Sequence, residues 1–342
     1  MDLTLTDEQT QLRDAFRSLY AREATVDRVR AAEPLGFDAA LWAVLTETGG
    51  VPIAVGEDHD GWGGSMSDLN LIAELHGRHI APAPLIEAQV GAWTLGEVAG
   101  ASPVAAETLS AVLAGEQTVT FVPRATRGGV WRMAAGGAVA DAVIGLHEHR
   151  LVLARPTAQE PVENIGSMPV SDVHATDLEV LADGEDAAVV FQSALDRWLC
   201  LTAAALVGIG ARGLEMGVEY ARQRSAFGTL IGTFQAVSHP LADCATALDG
   251  ARLLAQRAAA AFEEEPARVR ELSAMAFAAA FEAARDATYR GLHVHGGYGF
   301  GMEQDAQLYY RRARAWALVW GTADDALDRA ASARYDTSVA SA

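Results

Sequence analysis

The sequence has 342 residues, is 50% apolar and carries a formal charge of −19, so it can bury a large core and should form two or three layers or domains. The negative charge argues against nucleic-acid binding, because neutralising phosphates requires clustered cations that this sequence lacks. All 26 of its cations are arginines, which excludes Schiff-base chemistry, pyridoxal phosphate anchoring and a P-loop lysine.

The two cysteines, Cys200 and Cys244, have no metal-ligand spacing, and no metal site is predicted. Both fit structural thiols in a reducing cytoplasm. The acidic, amphipathic N-terminus is not a signal peptide, and no apolar run is expected to reach the length of a membrane span. We therefore expect a cytoplasmic protein without membrane insertion.

Hydrophobic periodicity divides the chain into three zones. Residues 1–116 show helical spacing after Thr6, a candidate N-cap. Residues 117–190 contain short β-favouring runs separated by Gly, Pro and Asp turns, which predict a small antiparallel barrel or sandwich. The predicted strands are TVTFV, AVADAVIGL, RLVLA, LEVLA and AAVVF. Residues 191–342 return to long Ala- and Leu-rich helical stretches, which predict a four-helix bundle.

Two glycine clusters resemble nucleotide-binding loops. GIGARG (Gly208 to Gly213) matches the dinucleotide fingerprint, but helical sequence flanks it where the fingerprint requires a strand. We interpret these glycines as positions that let two helices approach closely. HGGYGF, which contains Gly296 and Gly297, breaks a helix, and its backbone N–H groups could bond phosphate or ribityl oxygens. A glycine-capped helix end is the alternative.

Further motifs surround the second glycine cluster. RSAFG places Arg224 before Phe227, and Phe234 and Gln235 follow before a Leu-Ala-Asp triplet. With HGGYGF and the RRARAW…GT segment, this pattern resembles the acyl-CoA dehydrogenase family. GGVPIAVGEDHDGWGGS and ELHGRHIAPAPL resemble the N-terminal domain of that family, so the resemblance covers most of the chain.

The resemblance implies a mainly α fold with a central β domain. The expected domains are an N-terminal helical domain (1–116), a middle β-barrel (117–190) and a C-terminal four-helix bundle (191–342). It also implies a dimer or tetramer with FAD as cofactor, an acyl-CoA substrate, and an electron-transfer flavoprotein or similar acceptor.

In that family, the arginine before Phe-Gly and the Phe-Gln pair reach the FAD of the neighbouring subunit. The resemblance therefore assigns cofactor-binding roles to Arg224, Phe227, Phe234, Gln235, His293, Gly296, Gly297 and Thr322. Arg224 could otherwise be a solvated helix-end cation. His293 could equally be a helix-end histidine bonded to the backbone.

The catalytic base of the family is not where the resemblance places it. The residue before Gly-Thr is usually the glutamate that removes the α-proton, but this chain has Trp320, whose indole cannot accept a proton. Some family members carry the base on an earlier helix, where gapless counting places Trp198. Asp196 is a candidate only if that helix is shifted. The stretch VTFVPRATRGG also lacks the Glu, Ser and Asp with which the family lines the flavin ring.

These departures suggest one subunit of a hetero-oligomer, resembling the paired dehydrogenases of actinobacterial sterol side-chain degradation. A second acyl-CoA dehydrogenase-like subunit would supply the base, Trp320 would fill this chain's own acyl pocket, and the complex would hold half the usual number of flavins. One alternative is a self-sufficient flavoenzyme with different chemistry, such as oxygen activation. Another is a non-catalytic scaffold or acyl-CoA-binding homo-oligomer.

Overall fold

A computed structural model describes residues 4–33, 35–156 and 159–335. Its helices are α1 (Asp7–Glu23), α2 (Val26–Ala31), α3 (Ala39–Glu47), α4 (Met66–Arg78), α5 (Leu85–Ala99), α6 (Pro103–Leu113), α7 (Gly184–Ala221), α8 (Gln235–Glu264), α9 (Val269–Val294), α10 (Ala306–Ala315) and α11 (Ala323–Tyr335). Its strands are β1 (Val119–Phe121), β2 (Val130–Ala134), β3 (Ala142–His147), β4 (Arg150–Ala154), β5 (Ser171–His174), β6 (Glu179–Asp183), β7 (Ser225–Ala226) and β8 (Thr229–Leu230).

The predicted start of the first helix is confirmed. The Thr6 hydroxyl accepts the backbone N–H of Gln9 at 3.1 Å, and the Gln9 side chain accepts the backbone N–H of Thr6 at 3.2 Å. This reciprocal capping box satisfies two N–H groups that the first helical turn cannot pair internally. Local sequence chemistry therefore sets where α1 begins.

The predicted strands are confirmed with one exception. TVTFV, AVADAVIGL, RLVLA and LEVLA overlap β1, β3, β4 and β6, whereas AAVVF lies within the first two turns of α7. That prediction was wrong because a five-residue apolar run does not distinguish a strand from a buried helix. The helix begins at Gly184 with Glu185 and Asp186 in its first turn, where acidic side chains are favourable.

The central β region contains two sheets that share a core. One sheet has the order β1-β3-β4-β6, and the other pairs β2 with β5. Trp131 and Val173 of the second sheet join Val143 and Val152 of the first in one buried cluster. Strands β1 and β3 are parallel, so the expectation of a wholly antiparallel arrangement was wrong. Strand β2, which separates them in sequence, belongs to the other sheet.

The described residues form two compact units. One contains residues 4–26, Asn70–Ala81 and 199–335, and the other contains Asp27–Leu69 and Pro82–Trp198. In the first unit, α9 packs against α8, α10 and α11. Cys200 and Cys244 are both buried, and neither forms a disulfide, as expected for structural thiols.

Helix α7 is long and apolar enough to cross a bilayer by length and composition alone. The expectation that no apolar run reaches that length was therefore wrong. However, 78% of its most apolar stretch is buried inside the protein. A helix that is apolar on all sides is also typical of a protein core, and this burial accounts for the composition of α7.

Candidate functional site

The GIGARG cluster lies in the middle of α7 and is a packing site. A Cβ atom at Gly208 would overlap the carbonyl oxygen of Glu74 on α4, and one at Gly210 would lie 2.9 Å from Cα of Ala284 on α9. The residues before these glycines are helical from Gly184 onward, whereas the dinucleotide fingerprint requires a preceding strand. The structure thus supports the interpretation that they permit close helix contact, as opposed to binding a dinucleotide.

Strands β7 and β8 form a short hairpin that presents an aromatic side chain to solvent. The two residues of its turn, Phe227 and Gly228, have φ values of 53° and 80°, the left-handed pair that tight two-residue hairpins require. Phe227 is 97% exposed, and its ring lies edge-on to Phe234, with centroids 6.3 Å apart. Phe227 is thus an exposed apolar side chain on a backbone conformation that is unusual for a residue other than glycine.

An exposed arginine precedes this hairpin, and a helix N-terminus follows it. The backbone carbonyl of Arg224 accepts the N–H of Ile231 at 2.8 Å, which fixes the base of the hairpin, and its side chain is exposed. Gln235 is the exposed first residue of α8, and Phe234 provides no side-chain cap. An arginine near uncapped helical N–H groups can bind an anion such as a diphosphate.

The HGGYGF cluster follows the end of α9 and contains two kinds of glycine. Gly296 has a φ of 63°, and a Cβ atom on Gly296 or Gly297 would meet no atom within 4 Å, so both backbones are open to a ligand. A Cβ atom on Gly299 would overlap the carbonyl oxygen of Leu292, so Gly299 is required for packing. The cluster therefore combines a helix end with an accessible backbone.

The two histidines beside this cluster have different roles. His295 bonds the carbonyl oxygen of Gly291 through Nδ1 at 2.7 Å, which is the backbone contact considered above for His293. The exposed ring of His293 instead stacks on Tyr289, with centroids 5.7 Å apart. His293 thus remains a candidate ligand-binding group.

Trp320 lies between a 3-10 turn (Trp316–Val319) and the start of α11. Its ring is partly buried and packs edge-on against Phe277 of α9, with centroids 5.2 Å apart. Thr322 caps α11, because its hydroxyl oxygen accepts the backbone N–H of Asp325 at 3.3 Å, and in return Oδ2 of Asp325 accepts the backbone N–H of Thr322 at 2.7 Å. In this chain, Thr322 has a structural role as a helix cap.

The alternative position for a base, around Trp198, lies close to a carboxyl group that was not predicted from the sequence, that of Glu87 on α5. Asp196 is buried on α7. Two residues later, the buried indole of Trp198 donates its N–H to Oε1 of Glu87 on α5 at 3.2 Å. Burial raises the pKa of Glu87, and hydrogen bonds from its own backbone and from Trp198 act in the opposite direction. An acidic residue inside the apolar sequence PLIEAQVGAW was the available signal.

The hydroxyl groups of the stretch at 119–129 are already engaged. Thr120 is buried and donates to the carbonyl oxygen of Ala135 at 2.5 Å. The hydroxyl of Thr126 is bonded to Nδ1 of His147 at 2.9 Å. Within the described residues, no group of three His, Cys, Asp or Glu side chains could hold a metal ion.

Comparisons with known proteins assign this architecture. Residues 6–116 match the acyl-CoA dehydrogenase N-terminal domain, and residues 189–333 match the acyl-CoA dehydrogenase C-terminal domain. The chain belongs to the acyl-CoA dehydrogenase family. Its fold is that of the family, with helical N- and C-terminal domains and a β region between them.

Relatives resemble the chain over nearly its whole length. Acyl-CoA dehydrogenase IpdE2 of Mycolicibacterium smegmatis is 28% identical over 95% of this chain and 98% of its own. The structure of the ChsE4-ChsE5 complex from Mycobacterium tuberculosis is 25% identical with a TM-score of 0.83, over 100% of both chains. Butyryl-CoA dehydrogenase from Megasphaera elsdenii shares the fold, with a TM-score of 0.81 and 19% identity over 98% of this chain and 100% of its own.

FAD is the cofactor of acyl-CoA dehydrogenases, and the described residues fit one part of it. The Arg224 guanidinium, the N-terminus of α8, and the open backbone at Gly296 and Gly297 suit the anionic diphosphate portion. The stretch at 119–129 does not fit the flavin ring, because its two threonine hydroxyls are bonded within the chain. The chain therefore has residues suited to the diphosphate portion of FAD but lacks the side chains with which the family lines the flavin ring.

Proposed function

We propose that this chain is one subunit of a hetero-oligomeric acyl-CoA dehydrogenase. The complex would remove hydrogens from Cα and Cβ of an acyl-CoA thioester. The chain would contribute to the FAD site of its partner, and the partner would supply the catalytic glutamate. The observation that carries the proposal is Trp320, an indole packed on Phe277 in the place where the family has its base.

The need for a base in thioester dehydrogenation explains why Trp320 carries the proposal of a heteromer. A thioester α-proton is a weak acid, and a positioned carboxylate accelerates its removal by roughly 10²- to 10⁴-fold. FAD, when bound, takes the hydride from Cβ. An indole N–H can donate a hydrogen bond but cannot accept the α-proton. Trp320 therefore leaves this chain without a base at that position.

The contribution to the partner would come from the β7–β8 hairpin and the segments beside it. Phe227 is held in an exposed left-handed turn, and the exposed side chain of Arg224 extends from the base of the same hairpin. An arginine bonds diphosphate oxygens through two parallel N–H groups, which gives both charge and geometry. The proposed role of Phe227 and Phe234 is to seat this arginine at the interface.

The relatives support a heteromeric assembly. The ChsE4-ChsE5 complex is named for two different chains, and a further similar structure is described as the Tcur3481-Tcur3483 steroid acyl-CoA dehydrogenase G363A variant. By extension, we propose sterol degradation as the setting, the cytoplasm as the location, and an electron-transfer flavoprotein or similar protein as the electron acceptor.

Co-expression with the chain encoded next to it tests the proposal. We expect yellow protein and acyl-CoA dehydrogenation only from the co-expressed pair, with about half the usual number of flavins per subunit. Stoichiometric FAD and turnover in the lone chain would refute the proposal in favour of a self-sufficient flavoenzyme. Absence of flavin with every partner would instead favour a scaffold.

Two arginine variants test the cofactor contact directly. Arg224→Gln should weaken FAD binding by the assembled pair roughly 10- to 100-fold, because a charge-assisted hydrogen bond contributes about 1.5–3 kcal/mol. Arg222→Gln removes an equally exposed cation two residues away and should leave FAD binding unchanged. Equal effects of the two variants would contradict the assigned role of Arg224.

A further inference from the structure

The hydrogen bond between Trp198 and Glu87 joins two helices at a buried ionisable group. Trp198 on α7 is 1% exposed and Glu87 on α5 is 8% exposed. The indole N–H donates to one carboxyl oxygen at 3.2 Å. Because both side chains are buried, a charge on Glu87 would lie in the protein interior where α5 meets α7.

A second contact lies between the same two helices. The guanidinium of Arg197, next to Trp198, lies 3.7 Å above the ring of Trp93 on α5. This cation–π contact persists across the accessible pH range because arginine does not deprotonate. The two contacts therefore respond differently to pH: one contains a titratable acid and the other does not.

Other charged groups on the elements around α5 do not contribute to the raised pKa of Glu87. Next to Trp198 on α7 these are Asp196 and Arg197; on α5 itself Glu97, on α6 Glu107, and beside Gly96 the ring of His59. The pKa of Glu87 is raised by burial, and its own backbone N–H and the Trp198 indole partly oppose that effect. Within the described residues, no cation is among the causes that favour the ionised carboxyl.

The energetic consequence follows from burial. Bringing an ionised carboxylate into a protein interior costs several kcal/mol unless a cation compensates it, and one indole N–H compensates only in part. A neutral carboxyl avoids that cost and still accepts the indole hydrogen bond. The closed packing of α5 on α7 thus favours the protonated acid, and opening to water favours the anion.

We propose that Glu87 and Trp198 form a proton-dependent latch between α5 and α7, closed when the carboxyl is neutral and released when it ionises. Release would loosen the start of α5, which lies close to β1: a Cβ atom at Gly91 would be 3.1 Å from a methyl group of Val119. The latch is independent of the proposed heteromer, because every group it uses belongs to this chain.

Hydrogen exchange of the full chain, followed by mass spectrometry between pH 6 and 9, tests the latch. Exchange is expressed as protection relative to the intrinsic rate at each pH. Protection of α5 in the wild type should fall with rising pH, by up to about tenfold per pH unit between the ordinary pKa of a solvated glutamate and the raised pKa of Glu87 in the closed state, and should level off above the latter. Glu87→Gln keeps an oxygen acceptor for the indole but cannot ionise, so its protection should not depend on pH.

Two further variants complete the test. Glu97→Gln removes the same charge from an exposed position on the same helix and should retain the wild-type pH profile. Glu87→Met is neutral at every pH and should, like Glu87→Gln, lose the pH dependence. The same pH profile in the wild type and Glu87→Gln would overturn the proposal, as would loss of the profile in Glu97→Gln.

Discussion

The close contact between Gly208 and α4 lets us predict how much Gly208→Ala destabilises the protein. In Gly208→Ala, the new methyl group would overlap the carbonyl oxygen of Glu74 and lie 2.6 Å from the backbone nitrogen of Arg78. Both neighbouring atoms belong to the backbone of α4, so no side chain can rotate away. The substitution must separate α4 from α7 or distort one of them.

The size of the effect combines two opposing contributions. Overpacking a close contact typically costs about 1–3 kcal/mol, and more when the neighbours cannot adjust. Replacing glycine by alanine inside a helix returns roughly 0.8–1 kcal/mol. We expect a net loss of about 2 kcal/mol or more in the free energy of unfolding, measured by denaturant titration of the full chain.

Gly250 is the matched control because it also lies inside a long helix, α8. A Cβ atom there would meet no atom within 4 Å, and the position is exposed. Gly250→Ala should therefore stabilise the protein by about 1 kcal/mol. The two substitutions should have opposite signs. A Gly208→Ala protein as stable as the wild type would refute the close approach of α4 and α7.

Three smaller predictions concern helix caps and an ion pair. Thr6→Ala should lower the free energy of unfolding by about 1 kcal/mol through loss of the α1 cap, whereas Thr6→Ser should not, as denaturant titration can measure. Thr322→Ala should cost a similar amount in the lone chain through loss of the α11 cap; an unchanged unfolding midpoint would contradict its structural role. Burial raises the pKa of Glu215, but the hydrogen bonds that Arg78 donates at 2.8 and 2.6 Å, the charge of Arg78 and the hydrogen bond and charge of Arg212 together hold that pKa below its ordinary value. The ion pair between Arg78 and Glu215 therefore stabilises the protein at pH values above the pKa that Glu215 has in the unfolded chain. This stabilisation is lost as the pH falls through the lower pKa of Glu215 in the folded protein. Glu215→Gln should therefore flatten the acid limb of a plot of thermal stability against pH.

The elements that depend on local sequence were predicted well. The capping box at Thr6 and the continuous apolar runs of β3 and β4 identify their elements because the relevant interactions span few residues. The same reasoning failed for AAVVF, which is too short for periodicity to distinguish its two conformations. Strand β5 (SDVH) was missed because Val173 is its only apolar residue, and β2 (VWRMA) was missed because Arg132 interrupts its apolar residues.

Positions of residues distant in sequence could be predicted only where a motif identifies the family. The motifs around Arg224 and Gly296 indicated an acyl-CoA dehydrogenase, and Trp320 was recognised as a departure from its pattern. The roles of individual residues were less accessible. His295, and not His293, binds the backbone at the end of α9, and the hydroxyl of Thr322 is occupied by a cap.

The sequence by itself determined most of the helices and strands, the family and the absence of a carboxylate at residue 320, because these depend on residue identity and short-range spacing. Only the tertiary structure decided that Gly208 faces the backbone of α4, that Phe227 is exposed, and that Trp198 meets Glu87 across 111 positions of sequence. Such contacts depend on how helices and strands cross, and no local pattern of side chains specifies that crossing.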